Sequence, residues 1–279
     1  MVLPMPDWRR VPLSALIGLL LCGSIVLVAL LAPWIAPYAN GEVVGDVWAP
    51  LSAKSWLGTD NLGRDLLSRM IYGTRVTLVI AGAATALSFS VGATLGFVAA
   101  VRGGWVDQWL SRAVDLLMAI PTLIFALVVL SVLPSTVTVL VLVLGILDAT
   151  RVFRLSRAVA ADINVMDYVE AARLRGEKTS WIVFSEILPN ALTPLISELG
   201  LRFIFAVLFL SALSFLGLGV QPPDADWGGM VKENKEGIVF GIPAALIPAG
   251  AIAVLTISVN LVADWMLNRS ADLKGGRGA

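Results

Sequence analysis

The chain has 279 residues, 58% of them hydrophobic and only 14% charged, with a mean hydropathy of +0.87. A soluble domain carries roughly a quarter charged residues, so this chain lacks the polar surface to face water on all sides. Lys plus Arg equals Asp plus Glu at 20 each, which favours no nucleic-acid partner. Histidine is absent and Cys22 is the single cysteine, so disulfides, zinc sites, Cys–His nucleophiles and histidine acid–base chemistry are excluded.

An apolar stretch of about 20 residues can cross the hydrocarbon core as a helix. The first is Leu13–Ala36. Its run is longer than a signal-peptide core and Ala36-Pro37-Tyr38-Ala39 is a poor cleavage site, so an uncleaved span is expected. In the segment that follows, Gly58, Gly63 and Gly73 read as turn positions, and Asp60, Arg64, Asp65 and Arg69 are spaced for local ion pairs. The second span, Val76–Val101, carries Gly92 and Gly96, a GxxxG pair that permits close helix approach.

The third span is Ala113–Leu133, in which Pro121 predicts a kink or helix start. Only Leu133-Pro134-Ser135 separates it from the fourth, Thr136–Leu155, which requires a tight helical hairpin. Asp148 and Arg151 lie near the end of that fourth span. An intramembrane ionisable group is a functional candidate, and a snorkelling interfacial ion pair is the plainer reading. The fifth and sixth spans are Leu199–Val220 and Ile242–Leu267, the last with Pro243 and Pro248. The tail, 268–279, has three glycines, and Ala271–Ala279 is expected to be disordered.

Orientation follows from the positive charges. With the N-terminus inside, Arg9, Arg10, Arg102, Arg112, Arg151, Arg154, Arg157, Arg173, Arg175, Lys178, Arg202, Arg269, Lys274 and Arg277 are cytoplasmic. Lys54, Arg64, Arg69, Arg75, Lys232 and Lys235 face the other side, fourteen against six. Both termini are therefore expected in the cytoplasm.

The connection between the fourth and fifth spans, Ser156–Glu198, is about forty residues long and patterned. Asp167 followed by Glu170 has capping-box spacing, Ala171 to Leu174 are helix formers, and Gly176 suits a C-terminal stop with positive φ. Thr179 or Ser180 would cap a second short helix, Trp181–Leu188, ended by Pro189. Ala171 and Ala172 would admit a close-approaching backbone, oriented by Glu170 and Arg173. The pattern alone leaves two readings level: a knuckle gripped by a partner, or an amphipathic segment with Trp181, Ile182 and Phe184 in the headgroups.

Glu170-Ala171-Ala172, three residues, Gly176, ten residues, then Ile187-Leu188-Pro189 resembles the EAA loop of binding-protein-dependent ABC importer permeases. The run Trp56–Arg69, with Gly58, Thr59, Asp60, Gly63, Arg64 and Asp65, resembles the periplasmic segment of the C-type permeases of dipeptide, oligopeptide and nickel importers. So does Leu213–Pro223 followed by Trp227-Gly228. The family often has a histidine before each of two of these motifs, where this chain has Ser55-Trp56 and Glu186.

The resemblance implies an all-α polytopic protein of the type I ABC importer permease fold. Residues 1–75 would hold the first span and first periplasmic segment, 76–267 the permease core with its coupling loop, and 268–279 a cytoplasmic tail. Asp167, Tyr168, Glu170, Ala171, Ala172, Arg173, Gly176, Ile187, Leu188 and Pro189 would form the ATPase-coupling loop. The segment around Asp60 would shape the outer face or dock a substrate-binding protein. The implied partners are a homologous permease, two nucleotide-binding ATPase subunits and an extracytoplasmic binding protein, in a bacterial inner membrane. Peptides are the favoured cargo, with nickel chelates, glutathione or oligosaccharides as alternatives.

The chain itself has no G-x-x-x-x-G-K-[ST] loop; Gly176-Glu177-Lys178-Thr179 lacks the spacing and the preceding strand. ATP and magnesium are therefore expected on partner subunits, with no cofactor or metal held here. Two other readings stand beside this one: an ion-gradient-driven transporter using Asp148, and a membrane enzyme using Asp115, Asp148 and Asp264.

Overall fold

The computed structural model describes residues 12–275, with side chains through Leu267. Among these residues all regular structure is helical, and β pairing is confined to isolated bridges, Val43 with Arg64 and Thr59 with Asp65. Helix α1 (Leu13–Ile35) matches the first expected span. Helix α2 (Leu66–Arg102) begins well before Val76, because Asp65 caps it by accepting from the Ser68 N–H. Its 37 residues extend about 55 Å, so it projects beyond a hydrocarbon core.

The third span is not one helix. Helix α3 (Gly104–Ala119) and helix α4 (Thr122–Val132) meet at a bend of 84°. Pro121 forces its predecessor out of the helical region, and Ile120 is extended at φ −90°, ψ 131°, which ends α3 outright rather than kinking it. Helix α5 (Val137–Asn164) follows, its first turn capped by the Thr136 hydroxyl. It runs past Leu155, so Ser156–Asn164 are helix and not loop.

The rest of the expected loop is also mostly helical. Helix α6 (Asp167–Leu174) is followed by α7 (Thr179–Trp181), a π-helical segment Ile182–Ile187 and α8 (Leu188–Leu216). The last three form one continuous helix, Thr179–Leu216. Pro189 therefore does not end a helix. The Leu188 N–H bonds the Val183 carbonyl, five residues back, and this wider turn makes room for the proline ring. Asn190 Nδ2 then donates to the Glu186 carbonyl at 2.6 Å.

Beyond α8 come α9 (Trp227–Asn234), 3₁₀ turns at Lys235–Phe240 and Pro243–Ala245, and α10 (Leu246–Gly275). Pro243 opens the second 3₁₀ turn and Pro248 lies in the first turn of α10, where a missing N–H is harmless. The backbone stays helical through Gly275, so residues 271–275 are not disordered as expected; Ala271, Leu273 and Lys274 are helix formers. Residues 276–279 and the charges at Arg9, Arg10, Arg269, Lys274 and Arg277 fall outside the described side chains.

Among the described residues four helices are long and apolar enough to cross a membrane: Leu13–Ile35, Leu66–Arg102, Thr179–Leu216 and Pro243–Leu267. The bent α3–α4 pair makes a fifth. Helix α5 is of similar length but carries Asp148, Arg151 and Arg154 within its first 18 residues.

Helix α2 packs most extensively on α5. The GxxxG pair is the reason: a Cβ on Gly92 would lie 2.6 Å from the Ala149 carbonyl, and one on Gly96 2.7 Å from that of Phe153. Three apolar clusters stack along the bundle. Leu66, Ala81, Val207, Trp227 and Met230 fill one end; Ile80, Leu130, Leu140, Leu144 and Leu210 the middle; Phe97, Ala160, Val169, Ala172 and Ile187 the other end.

Candidate functional site

Helix α6 lies at the far end of α2 and carries the motif residues on a fixed base. Val169 and Ala172 are fully buried, packed into the cluster with Phe97, Ile163 and Ile187. Ala172 thus faces its own chain and does not admit a partner backbone, as had been expected. Asp167, Tyr168, Glu170, Ala171, Arg173 and Leu174 are exposed, Leu174 at 84%.

The expected capping box is not formed. Met166 is the N-cap and makes no side-chain bond, so Asp167 and Glu170 instead place two negative charges in the first turn, where the helix dipole favours them. Gly176 does end the helix, at φ +82°. Its N–H bonds the Arg173 carbonyl at 2.9 Å and the Glu177 N–H bonds that of Ala172 at 3.2 Å, a complete Schellman pair.

Arg173 also turns inward. Its Nη2 donates to Asn164 Oδ1 at 2.6 Å, and Asn164 Nδ2 donates to the Ala100 carbonyl at 3.2 Å. Helix α6 is thereby tied to the ends of α5 and α2. The N-cap of the second short helix is Lys178, with no side-chain cap bond, and not Thr179 or Ser180. Arg175 stands 5.6 Å over the exposed Trp181 ring. Ile182 and Ile187 are buried, Leu188 is half-buried and Pro189 is exposed. With Ile182 packed inside, the Trp181–Ile182–Phe184 set does not present one apolar face to headgroups.

At the opposite end the segment around Asp60 forms a buried lock. Asp60 Oδ2 accepts from Arg64 Nε and Arg69 Nη1, each at 2.6 Å, and its Oδ1 accepts from the Leu62 and Arg64 N–H groups. Arg64 Nη2 also reaches Glu233 on α9 at 2.8 Å, and Arg69 pairs with the same carboxylate. Burial pushes the Asp60 carboxyl up, but the Arg69 bond and the two N–H donors outweigh it and hold it below the usual carboxylate range.

Asp65 pairs with no arginine. It accepts from Ser68 and from the Ser55 hydroxyl at 2.5 Å, so Ser55 has its own structural use at the position where the family often has histidine. Thr59 Oγ1 donates to the Asp46 carbonyl at 2.6 Å, and Gly58 and Gly63 turn the chain at positive φ. Gly73 is no turn; it sits inside α2 against Met230 and Trp227.

Asp148 is not a snorkelling ion. It is 4% exposed and accepts from Arg202 of α8 at 3.3 Å and from Ser88 of α2 at 3.3 Å, while Arg151 stands 3.7 Å away. Arg202 also holds Glu198 at 2.6 Å. Asp115 pairs with Arg154 at 2.6 Å, and Asp264 is exposed on α10 beside Asn260. The three carboxylates weighed for an enzyme thus occupy separate settings.

Glu233, Asn164 and Arg202 were missed as site residues by sequence reasoning. Glu233 lies well over a hundred residues from its arginines, and no local spacing announces it. Arg202 was visible only as a charge inside an apolar run, which was the usable signal.

Residues 92–271 match the family described as the binding-protein-dependent transport system inner membrane component. The chain is 37% identical over 263 residues to a di/tripeptide transport system permease protein of Pseudomonas aeruginosa, covering 91% of this chain and 86% of that one. It is 32% identical over 254 residues to a dipeptide transport system permease protein of Alkalihalophilus pseudofirmus, covering 90% and 83%. A glutathione transport system permease protein of Pectobacterium atrosepticum is 32% identical over 215 residues, covering 77% and 71%. Among solved structures, an inward-facing MetNI methionine ABC transporter chain superposes with a TM-score of 0.57 at 18% identity, covering 74% of this chain and 97% of that one.

Proposed function

The chain belongs to the binding-protein-dependent transport system inner membrane components, and from that membership we propose that it forms half of an importer's pathway for di- or oligopeptides, driven through α6 by a separate ATPase. It is a transport subunit of a multi-pass inner membrane assembly, not an enzyme. Peptide cargo is supported by relatives named for dipeptide and di/tripeptide transport. The relative named for glutathione supports a modified tripeptide as the second reading.

In this reading α1, α2, α3–α4, α5, α8 and α10 make six crossings with both termini cytoplasmic, which puts α6 on the side where ATP is available. The excess of positive charge on that side supports the orientation, and it remains when Arg151 and Arg202, which the structure gathers around buried Asp148, are left out of it. The domain scheme of 1–75, 76–267 and 268–279 goes with it. The partners are a homologous permease, two nucleotide-binding ATPase subunits and an extracytoplasmic binding protein. ATP and magnesium reside on the ATPases.

One observation carries the coupling role: α6 exposes Glu170, Ala171 and Leu174 from a base fixed by buried Val169 and Ala172. A short helix held this way moves as a unit with what it is tied to. Arg173 and Asn164 link it to α5 and α2, and the continuous helix Thr179–Leu216 starts beside it. Closure of the ATPases would therefore displace helices that line the pathway, as alternating access between two discrete states requires.

The test uses the single native cysteine. In a Cys22→Ser background, Leu174→Cys carrying a benzophenone maleimide should photo-crosslink to an ATPase subunit in the assembled complex. Leu51→Cys, at a position that is also well exposed but at the opposite end, should not. Adducts from position 174 to the binding protein, or to lipid alone, would refute the assignment.

A further inference from the structure

Three arginines follow one another at three-residue intervals on α5, and two of them are matched by carboxylates on α3. Arg154 pairs with Asp115 at 2.6 Å, and Arg157 Nη2 with Asp107 at 2.6 Å. Arg151 has no such match. Its nearest carboxylate, Asp148, is 3.7 Å away and already bonded to Arg202 and Ser88. Its Nη1, the nitrogen that faces Asp148 across this long ion pair, is buried and makes no hydrogen bond among the described residues.

The guanidinium is nevertheless held firmly in place. It lies 4.4 Å over the Phe205 ring, and its Nη2 donates to Thr122 Oγ1 at 3.3 Å. Thr122 is the first residue of α4, directly after the 84° break, and that helix start has no side-chain cap. A cation beside a helix N-terminus has the wrong sign for the dipole, unless an anion sits between them.

The surrounding charges say which way this site opens. Arg151 is 31% exposed and Arg202 19%, on helices whose other exposed side chains include Leu142, Ile146 and Leu208. Asp148 lies about 17 Å along α5 from its start, well inside a hydrocarbon thickness. Charged side chains at such depth do not face lipid, so this face meets a water-filled pathway or its polar lining.

We propose that Arg151, held by Phe205 and Thr122 at the start of α4, is a binding station in the pathway for the carboxylate of the cargo, the C-terminal carboxylate of a peptide. The station rests on the peptide reading above. Asp148 and Arg202 are positioning residues that keep the guanidinium from pairing elsewhere.

The test is uptake by the complete reconstituted transporter, with its binding protein saturated by Ala-Ala or by Ala-Ala-amide, so that affinity for the binding protein does not enter. Wild type should move the free acid roughly tenfold faster than the amide, the size of one charged hydrogen-bonded contact. Arg151→Gln should erase that ratio by slowing the acid, and Arg151→Lys should retain part of it. Equal rates for acid and amide in wild type, or an unchanged ratio in Arg151→Gln, would overturn the station while leaving peptide transport standing. No uptake of either form by wild type would overturn both. If the glutamine variant fails to assemble, Arg151→Lys carries the test, and a ratio equal to wild type in that variant would overturn the station.

Discussion

Asp226 caps α9 with both carboxylate oxygens, accepting from the Gly228 N–H at 3.1 Å and the Gly229 N–H at 3.4 Å. Burial pushes its pKa up to about 6, and the backbone donors only partly offset that. The folded protein therefore holds this proton more tightly than the unfolded chain. The resulting stabilisation is full below the ordinary value of 3.8 and is lost as pH rises through about 6. The span corresponds to roughly 2–3 kcal/mol at most. Thermal unfolding of the detergent-solubilised protein should show a midpoint that falls across that window. Asp226→Asn, which keeps a capping oxygen, should flatten the fall; an unchanged slope would assign the pH response elsewhere. The contrast with Asp60 is instructive. Both carboxylates are buried, but Asp60 has two arginines against it, so its charge is held and not expelled.

At the scale of elements, close approach of α2 and α5 is set by glycine. Gly96→Leu should push the helices apart where Phe153 and Arg157 come nearest, at about 1–3 kcal/mol. The unfolding midpoint should drop by several degrees, whereas Gly82→Leu, with open space around its Cβ, should leave it unchanged. Equal effects would mean that the pair is not packed through Gly96.

The GxxxG spacing made half of this contact legible, since it marked α2 but could not name α5 as the partner. Gly176 was legible for a similar reason: a positive-φ stop is a local property, and nearby residues encode it. Pro189 was misread because the rule that proline ends a helix assumes α geometry, and a π turn upstream removes the clash. Pro121 was read too gently, since its effect on Ile120 combines with an extended backbone into a break. Helical stretches outside the apolar runs, Ser156–Asn164 and the continuation past the expected Trp181–Leu188 helix through Glu198, escaped because hydropathy reports solvent and not helicity.

Taken as a whole, the molecule has two anchored ends joined by long helices. The Asp60–Arg69–Glu233 lock ties the first extramembrane segment to α9 at one end, and α6 is tied to α5 and α2 at the other. In the proposed function, such an object would transmit a push at α6 along α2 and α8 without needing to bind nucleotide. The role proposed for α6 is thus transmission of the work of ATP hydrolysis. It is tested most directly by the ratio of peptide imported to ATP hydrolysed in proteoliposomes holding the complete transporter with Glu170→Lys, or with a residue inserted at Gly176. Both variants should insert and assemble normally while uptake falls by an order of magnitude or more per ATP consumed. A wild-type ratio in both variants would contradict it.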